Sequence, residues 1–128
     1  MRKKNSKAEF SSERSELLLK NFRESLARQS VISLKKAFQE AADFPAPRFW
    51  VTEARAMRVI MMMMKGEPIL DSMNEEKRKM YEEIYVRVTE MRKRNPETSL
   101  GDIVFEVVNS PAPRSYLSWH TVKNALKK

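Results

Sequence analysis

Pro45-Ala46-Pro47-Arg48-Phe49-Trp50-Val51-Thr52 returns 66 positions later as Pro111-Ala112-Pro113-Arg114-Ser115-Tyr116-Leu117-Ser118. The same offset aligns Glu16, Glu24, Arg28, Ser33, Leu34 and Glu40 with Glu82, Glu90, Arg94, Ser99, Leu100 and Glu106. Conservative pairs lie between them: Leu18 with Ile84, Phe22 with Val88, Asp43 with Asn109, Ile60 with Leu126. An ungapped fixed period is the mark of a duplicated supersecondary unit, here covering roughly residues 12–60 and 78–126. Amphipathic helices match one another loosely, but such matches do not supply a Pro-Ala-Pro-Arg run in register with the rest.

Working outward from the repeat, apolar residues recur at helical spacing. Leu18, Phe22 and Leu26 share a face, as do Leu34, Ala37, Phe38 and Ala41, and no long stretch alternates as a strand does. In the first copy the sequence predicts helices over Ser12–Gln29, Ser30–Ala42 and from a Thr52 cap to Met64 or Lys65. Proline at 45 and 47 ends the second of these, and Gly66 suits a C-cap. Ser72 and Glu75 have capping-box spacing and open the second copy, whose first helix carries Met80, Tyr81, Ile84, Tyr85, Val88 and Met91. Asn95-Pro96 stops it. Leu100–Asn109 follows, and Ser118 caps a last helix. The expected fold is all-α, with about six helices in a duplicated three-helix unit. The expected organisation is a disordered basic arm over 1–11, a first unit over 12–66, a linker over 67–73 and a second unit over 74–128, the two sharing a core.

Composition narrows the function. Twenty-five Lys and Arg against 17 acids give a net charge of +8, which attracts polyanions. There is no cysteine and a single histidine, so neither a disulfide frame nor a thiolate or histidine-cluster metal site is expected. No apolar run approaches the ~20 residues that span a bilayer, and nothing resembling a signal peptide follows Met1-Arg2-Lys3-Lys4; the expected location is cytoplasmic, nucleoid-associated if DNA is the ligand. No catalytic constellation is present: neither HExxH, a Gly-rich phosphate loop nor a nucleophile with a base. A non-enzymatic protein without cofactor or metal is expected.

Three helices with a break before a Ser/Thr-capped third helix resemble the helix-turn-helix superfamily of DNA-binding proteins. The likeness is sharpest over Leu117-Ser118-Trp119-His120-Thr121-Val122-Lys123-Asn124-Ala125-Leu126-Lys127-Lys128. The break between helices two and three is about eight residues with two prolines, against the 3–4 residues of the usual turn. The resemblance implies that each third helix enters a major groove of double-stranded DNA. At helical spacing Val122, Ala125 and Leu126 face inward, leaving His120, Thr121, Asn124, Lys127 and Lys128 outside. In the first copy Ala56, Val59, Ile60 and Met63 face inward, leaving Ala54, Arg55, Arg58, Met61, Met62 and Lys65 outside. Arg58 and Asn124 occupy equivalent positions, and those residue types pair with guanine and adenine respectively. Thr52, Ser118 and their helix starts can hold phosphate, as can Arg48 and Arg114 in the repeated turn. Those two arginines can equally cap carbonyls of the second helix or pair with Glu40 and Glu106. Trp50 and Tyr116 are expected to plug the helix junctions.

Met61-Met62-Met63-Met64 surrounds a helix turn, so one face cannot bury all four. Either they fill the seam between the copies, or Met61 and Met62 mark a surface for a protein partner or a homo-oligomer. The leading expectation is a transcriptional regulator, or an accessory factor of a mobile element or phage, reading two half-sites about 34 Å apart or a small multiple. The alternative is a helical adaptor or structural assembly protein acting through protein contacts.

Overall fold

Six helices account for most of the described residues, 6–127, of the computed structural model: α1 (Ser6–Arg28), α2 (Leu34–Asp43), α3 (Glu53–Met64), α4 (Glu75–Arg94), α5 (Leu100–Val108) and α6 (Trp119–Leu126). A single 3-10 turn, Ile69–Ser72, lies between α3 and α4. No described residue belongs to a strand, and the fold is all-α. Each helix from α2 onward starts at a side chain that accepts from the backbone N–H three residues on: Ser33 from Lys36, Thr52 from Arg55, Asn74 from Lys77, Ser99 from Asp102 and Ser118 from Thr121. At the end of α3, Gly66 has φ +83°, its N–H donates to Met63 O at 3.0 Å, and that of Glu67 donates to Met62 O at 3.0 Å. Those two bonds form a Schellman motif, which needs a left-handed residue at that position.

Several boundaries differ from the sequence expectation. Ser6–Ser11 extend α1, so the expected disordered arm is helical there; residues 1–5 lie outside the described residues. The second helix begins at Leu34 because Ser33, and not Ser30, caps it. Leu34 in consequence sits on the first turn and is 56% exposed, outside the apolar stripe assigned to it. Ser72 belongs to the 3-10 turn, and Asn74 takes over the capping expected of it.

The helices do not group in chain order. One compact unit comprises Met1–Ala46 and Ala112–Lys128, hence α1, α2 and α6; the other comprises Pro47–Pro111, hence α3, α4 and α5. Each third helix therefore packs in the unit that holds the first two helices of the other sequence copy.

The repeated Pro-Ala-Pro segment explains the crossing. Within it only alanine has an N–H to donate, and the following proline holds that alanine in extended backbone. Ala46 and Ala112 form an antiparallel bridge: Ala46 N–H donates to Ala112 O at 2.9 Å and Ala112 N–H to Ala46 O at 2.8 Å. The flanking prolines stop the ladder at one pair. Downstream, Phe49 N–H reaches Val108 O at the end of α5 (3.0 Å), and Ser115 N–H reaches Ala42 O near the end of α2 (2.8 Å). The second bond is the first displaced by 66 residues in donor and acceptor, and each satisfies a helix-terminal carbonyl that its own helix leaves open.

In the first of these units Leu18, Ala41, Ala42 and Val122 are the buried centre, with Phe22, Phe38, Leu117, Ala125 and Leu126 packed around it. Phe22 and Phe38 stack with centroids 4.6 Å apart. In the other, Met80, Tyr81, Ile84 and Val88 of α4, Ile103, Val104, Val107 and Val108 of α5, and Ala56, Val59 and Ile60 of α3 are buried. Trp50 and Tyr116 are both buried, as their expected place at the junctions requires.

The exchange makes a local prediction. Val122→Ala, which leaves a cavity costing roughly 1–3 kcal/mol, should loosen amide-exchange protection first in α1 and α2. Ile60→Ala should loosen α4 and α5 first. Packing in chain order would give the reverse. A second prediction concerns Arg14 of α1, half-buried with no hydrogen-bond partner for its Nε, where burial pulls the guanidinium below its usual pKa. Its counterpart at the 66-residue offset, Met80, is buried and apolar. Arg14→Met should raise stability by roughly 1 kcal/mol by removing a poorly solvated charge, read as a higher urea midpoint at unchanged m-value.

Candidate nucleic-acid interface

Charge divides sharply between the two units. Among the described residues the α1–α2–α6 unit holds ten Lys and Arg against six acidic residues, a net charge of +4. The α3–α4–α5 unit holds eleven of each and is neutral. They are called the basic and the neutral unit below.

In the basic unit, Ser118 Oγ accepts from Thr121 N–H at 3.3 Å and lies 3.1 Å from Thr121 Oγ1, which fixes the start of α6. Val122 is fully buried, so His120, Lys123, Asn124 and Lys127 are turned outward and exposed, with Thr121 half-buried. Lys128, also expected at this face, lies outside the described residues. Trp119 is half-exposed at the head of the helix. Its ring lies 3.9 Å from that of His120, with Lys35 Nζ at 5.3 Å and Lys123 Nζ at 5.9 Å from its centroid. Lys35 arrives from the first turn of α2. The result is an aromatic plate edged by cations, the pairing of stacking surface and positive charge that suits nucleic acid.

Arg114 serves the fold. It is half-buried, its Nη2 donates to Asp43 Oδ1 at 2.5 Å, and its guanidinium lies 5.4 Å from the ring of Tyr116. Tyr116 itself has φ +57°, a left-handed backbone that costs about 1–2 kcal/mol for a residue with a side chain. Its surrounding contacts must offset that. Arg114 is thus paired with the last residue of α2. Glu40 is engaged otherwise, accepting a hydrogen bond from the buried Ser25 hydroxyl.

In the neutral unit, Arg48 is turned onto its own turn: Nε donates to Phe49 O at 3.2 Å and Nη2 to Val51 O at 3.3 Å. These carbonyls belong to the turn that leads into α3, not to the end of α2. Thr52 accepts from Arg55 N–H at 3.2 Å. Arg55, Arg58 and Lys65 are exposed along α3, opposite buried Ala56, Val59 and Ile60. Of the methionines, Met61 and Met64 are exposed (42% and 38%), and Met62 and Met63 are half-buried. Arg92 Nη1 lies 3.9 Å from Met64 Sδ.

Matching helix starts differ in charge. In the neutral unit Glu53 occupies the first turn of α3 and Asp102 that of α5, where carboxylates offset the helix dipole. In the basic unit the first turns of α2 and α6 hold no acid, and Lys36 stands at the position equivalent to Asp102. Lysines there work against the dipole, a cost of about 0.3–1 kcal/mol each that an anionic ligand would remove. Sequence reasoning passed over Lys35, Lys36 and Lys123. The available signal was the run of acid-free sequence after Glu106, together with that between Glu24 and Glu40.

Among the described residues no group of His, Cys, Asp or Glu is arranged to hold a metal ion, and no helix is long and apolar enough to cross a membrane. No protein-family model, curated protein or solved structure matches the chain.

Proposed function

We propose that the protein is a non-enzymatic DNA-binding protein in which the basic unit makes the principal contact with the duplex. The observation that carries this reading is the confinement of the described residues' net positive charge to one of the two compact units. Charge needed only for solubility has no reason to be so divided. A polyanion partner gives one, because each lysine or arginine laid on a phosphate releases a counterion. Lys35, Lys36, Lys123 and Lys127 supply such cations, and Trp119 a surface for stacking. Asn124 and His120, on the outer face of α6, are the candidates for base edges. α6 spans eight residues, about 12 Å, enough for one groove contact. Arg55, Arg58 and Lys65 on α3 offer a second, weaker face. A role in transcription regulation, or as an accessory factor of a mobile element or phage, fits this activity.

One observation favours a second reading, a helical adaptor. The neutral unit leaves Met61, Met64, Val86 and Phe105 exposed, and exposed apolar side chains on a surface of no net charge suit a protein partner. The two activities are compatible in one chain.

The test is salt titration of duplex binding. With four to six phosphates engaged, the log–log slope should be roughly −4 to −5. Lys35→Gln and Lys123→Gln should each make it shallower by about one. Arg55→Gln should change it less. Asn124→Ala should relax sequence preference with little change in slope. Absence of binding at about 50 mM salt, with self-association abolished by Met61→Gln and Met64→Gln, would reject DNA binding in favour of the adaptor.

A further inference from the structure

The segment joining α1 to α2 has a feature the fold does not require. Val31 is 81% exposed and Ile32 61%, and Leu34 beside them is 56% exposed. The segment is held in shape: Ser33 N–H donates to Gln29 Oε1 at 2.7 Å, and Ser33 Oγ accepts from Lys36 N–H at 3.3 Å. At the 66-residue offset the same segment carries Glu97 and Thr98, polar residues suited to exposure, so the scaffold does not demand Val31 and Ile32. They cost solvation and are set on a braced loop.

Their surroundings are cationic. Arg28 and Lys36 line the open groove beside Val31, and Lys35 follows directly. The two carboxylates of that groove are already occupied, Glu40 by Ser25 and Asp43 by Arg114. We infer that Val31 and Ile32 form an apolar wedge that enters the DNA minor groove between base steps while the flanking cations hold phosphate. This rests on the proposed DNA-binding function and deepens it. Size separates DNA from lipid as the occupant. One or two apolar side chains suffice to part a base step. A whole myristoyl chain, with far more apolar surface, gives only marginal bilayer binding. The wedge implies a preference for flexible pyrimidine–purine steps, which unstack at least cost, and a bend toward the major groove.

The experiment uses the full chain and a duplex of about 25 base pairs with 2-aminopurine beside a central TA step. Wild-type protein should bind and raise the 2-aminopurine emission. The variant Val31→Ser with Ile32→Thr should bind roughly tenfold more weakly, lose the emission rise and keep the wild-type salt slope. Both side chains are exposed, so its thermal melt should match wild type. A variant that binds and unstacks as wild type does would overturn the wedge and leave the DNA-binding reading standing. Failure of wild type to bind the duplex would overturn both. Wild-type binding to phosphatidylserine vesicles in its place, lost in the variant, would assign the loop to lipid.

Discussion

The pairing of Ala46 with Ala112 is the constraint from which the rest follows. Two hydrogen bonds between residues 66 apart set where the chain passes from one compact unit to the other. Proline on either side makes the arrangement selective, because it leaves a single donor in each segment and removes the helical alternative. Once that pair is made, Phe49 and Ser115 fall on carbonyls near the ends of α5 and α2, and the third helices are delivered accordingly. A short isolated β-bridge contributes little energy by itself. Its weight comes from the apolar faces of α3 and α6 that it directs into place, where burial of Val59, Ile60 and Val122 supplies the stabilisation.

The exchanged connection gives each unit helices from both sequence copies. Neither sequence copy packs its three helices on one another, so removal of one third helix damages the core built on the other copy. The same exchange shapes the electrostatics. It sets the acid-free α6 beside α2, whose first turn carries Lys35 and Lys36, and places Glu53 among the helices of the neutral unit. The two units thus carry different surfaces: cations around an aromatic plate on one, no net charge on the other. The first suits a polyanion and the second a protein partner.

Much of the local structure was legible in the sequence. Leu18 and Phe22, or Ile84 and Val88, announce their faces by spacing alone, and Thr52 and Ser118 announce helix starts because their side chains satisfy free amides. Asn74 was missed because Ser72 offered a competing cap just upstream, and Leu34 because its stripe was drawn through a start placed four residues early. The Pro-Ala-Pro segment was legible as a break but not as a pairing element, since its partner lies 66 residues away and nothing local names it. The candidate site divides in the same way. The outward faces of α3 and α6 could be read from periodicity. The meeting of Lys35 with Trp119 could not, because it exists only once α6 has packed on α2. Arg48 and Arg114 show the ambiguity of an arginine in a turn: both the phosphate and the capping role are written alike in sequence, and hydrogen bonds to carbonyls and to Asp43 appear only in three dimensions.

The exchange of third helices is best examined by methyl–methyl nuclear Overhauser effects in the intact protein. Exchanged third helices require strong cross-peaks from the Val122 methyls to Leu18, its neighbour in the buried cluster with Ala41 and Ala42. Cross-peaks from Val122 to Ile84 and Val88, with none to Leu18, would mean that each copy folds upon itself and would contradict the exchange.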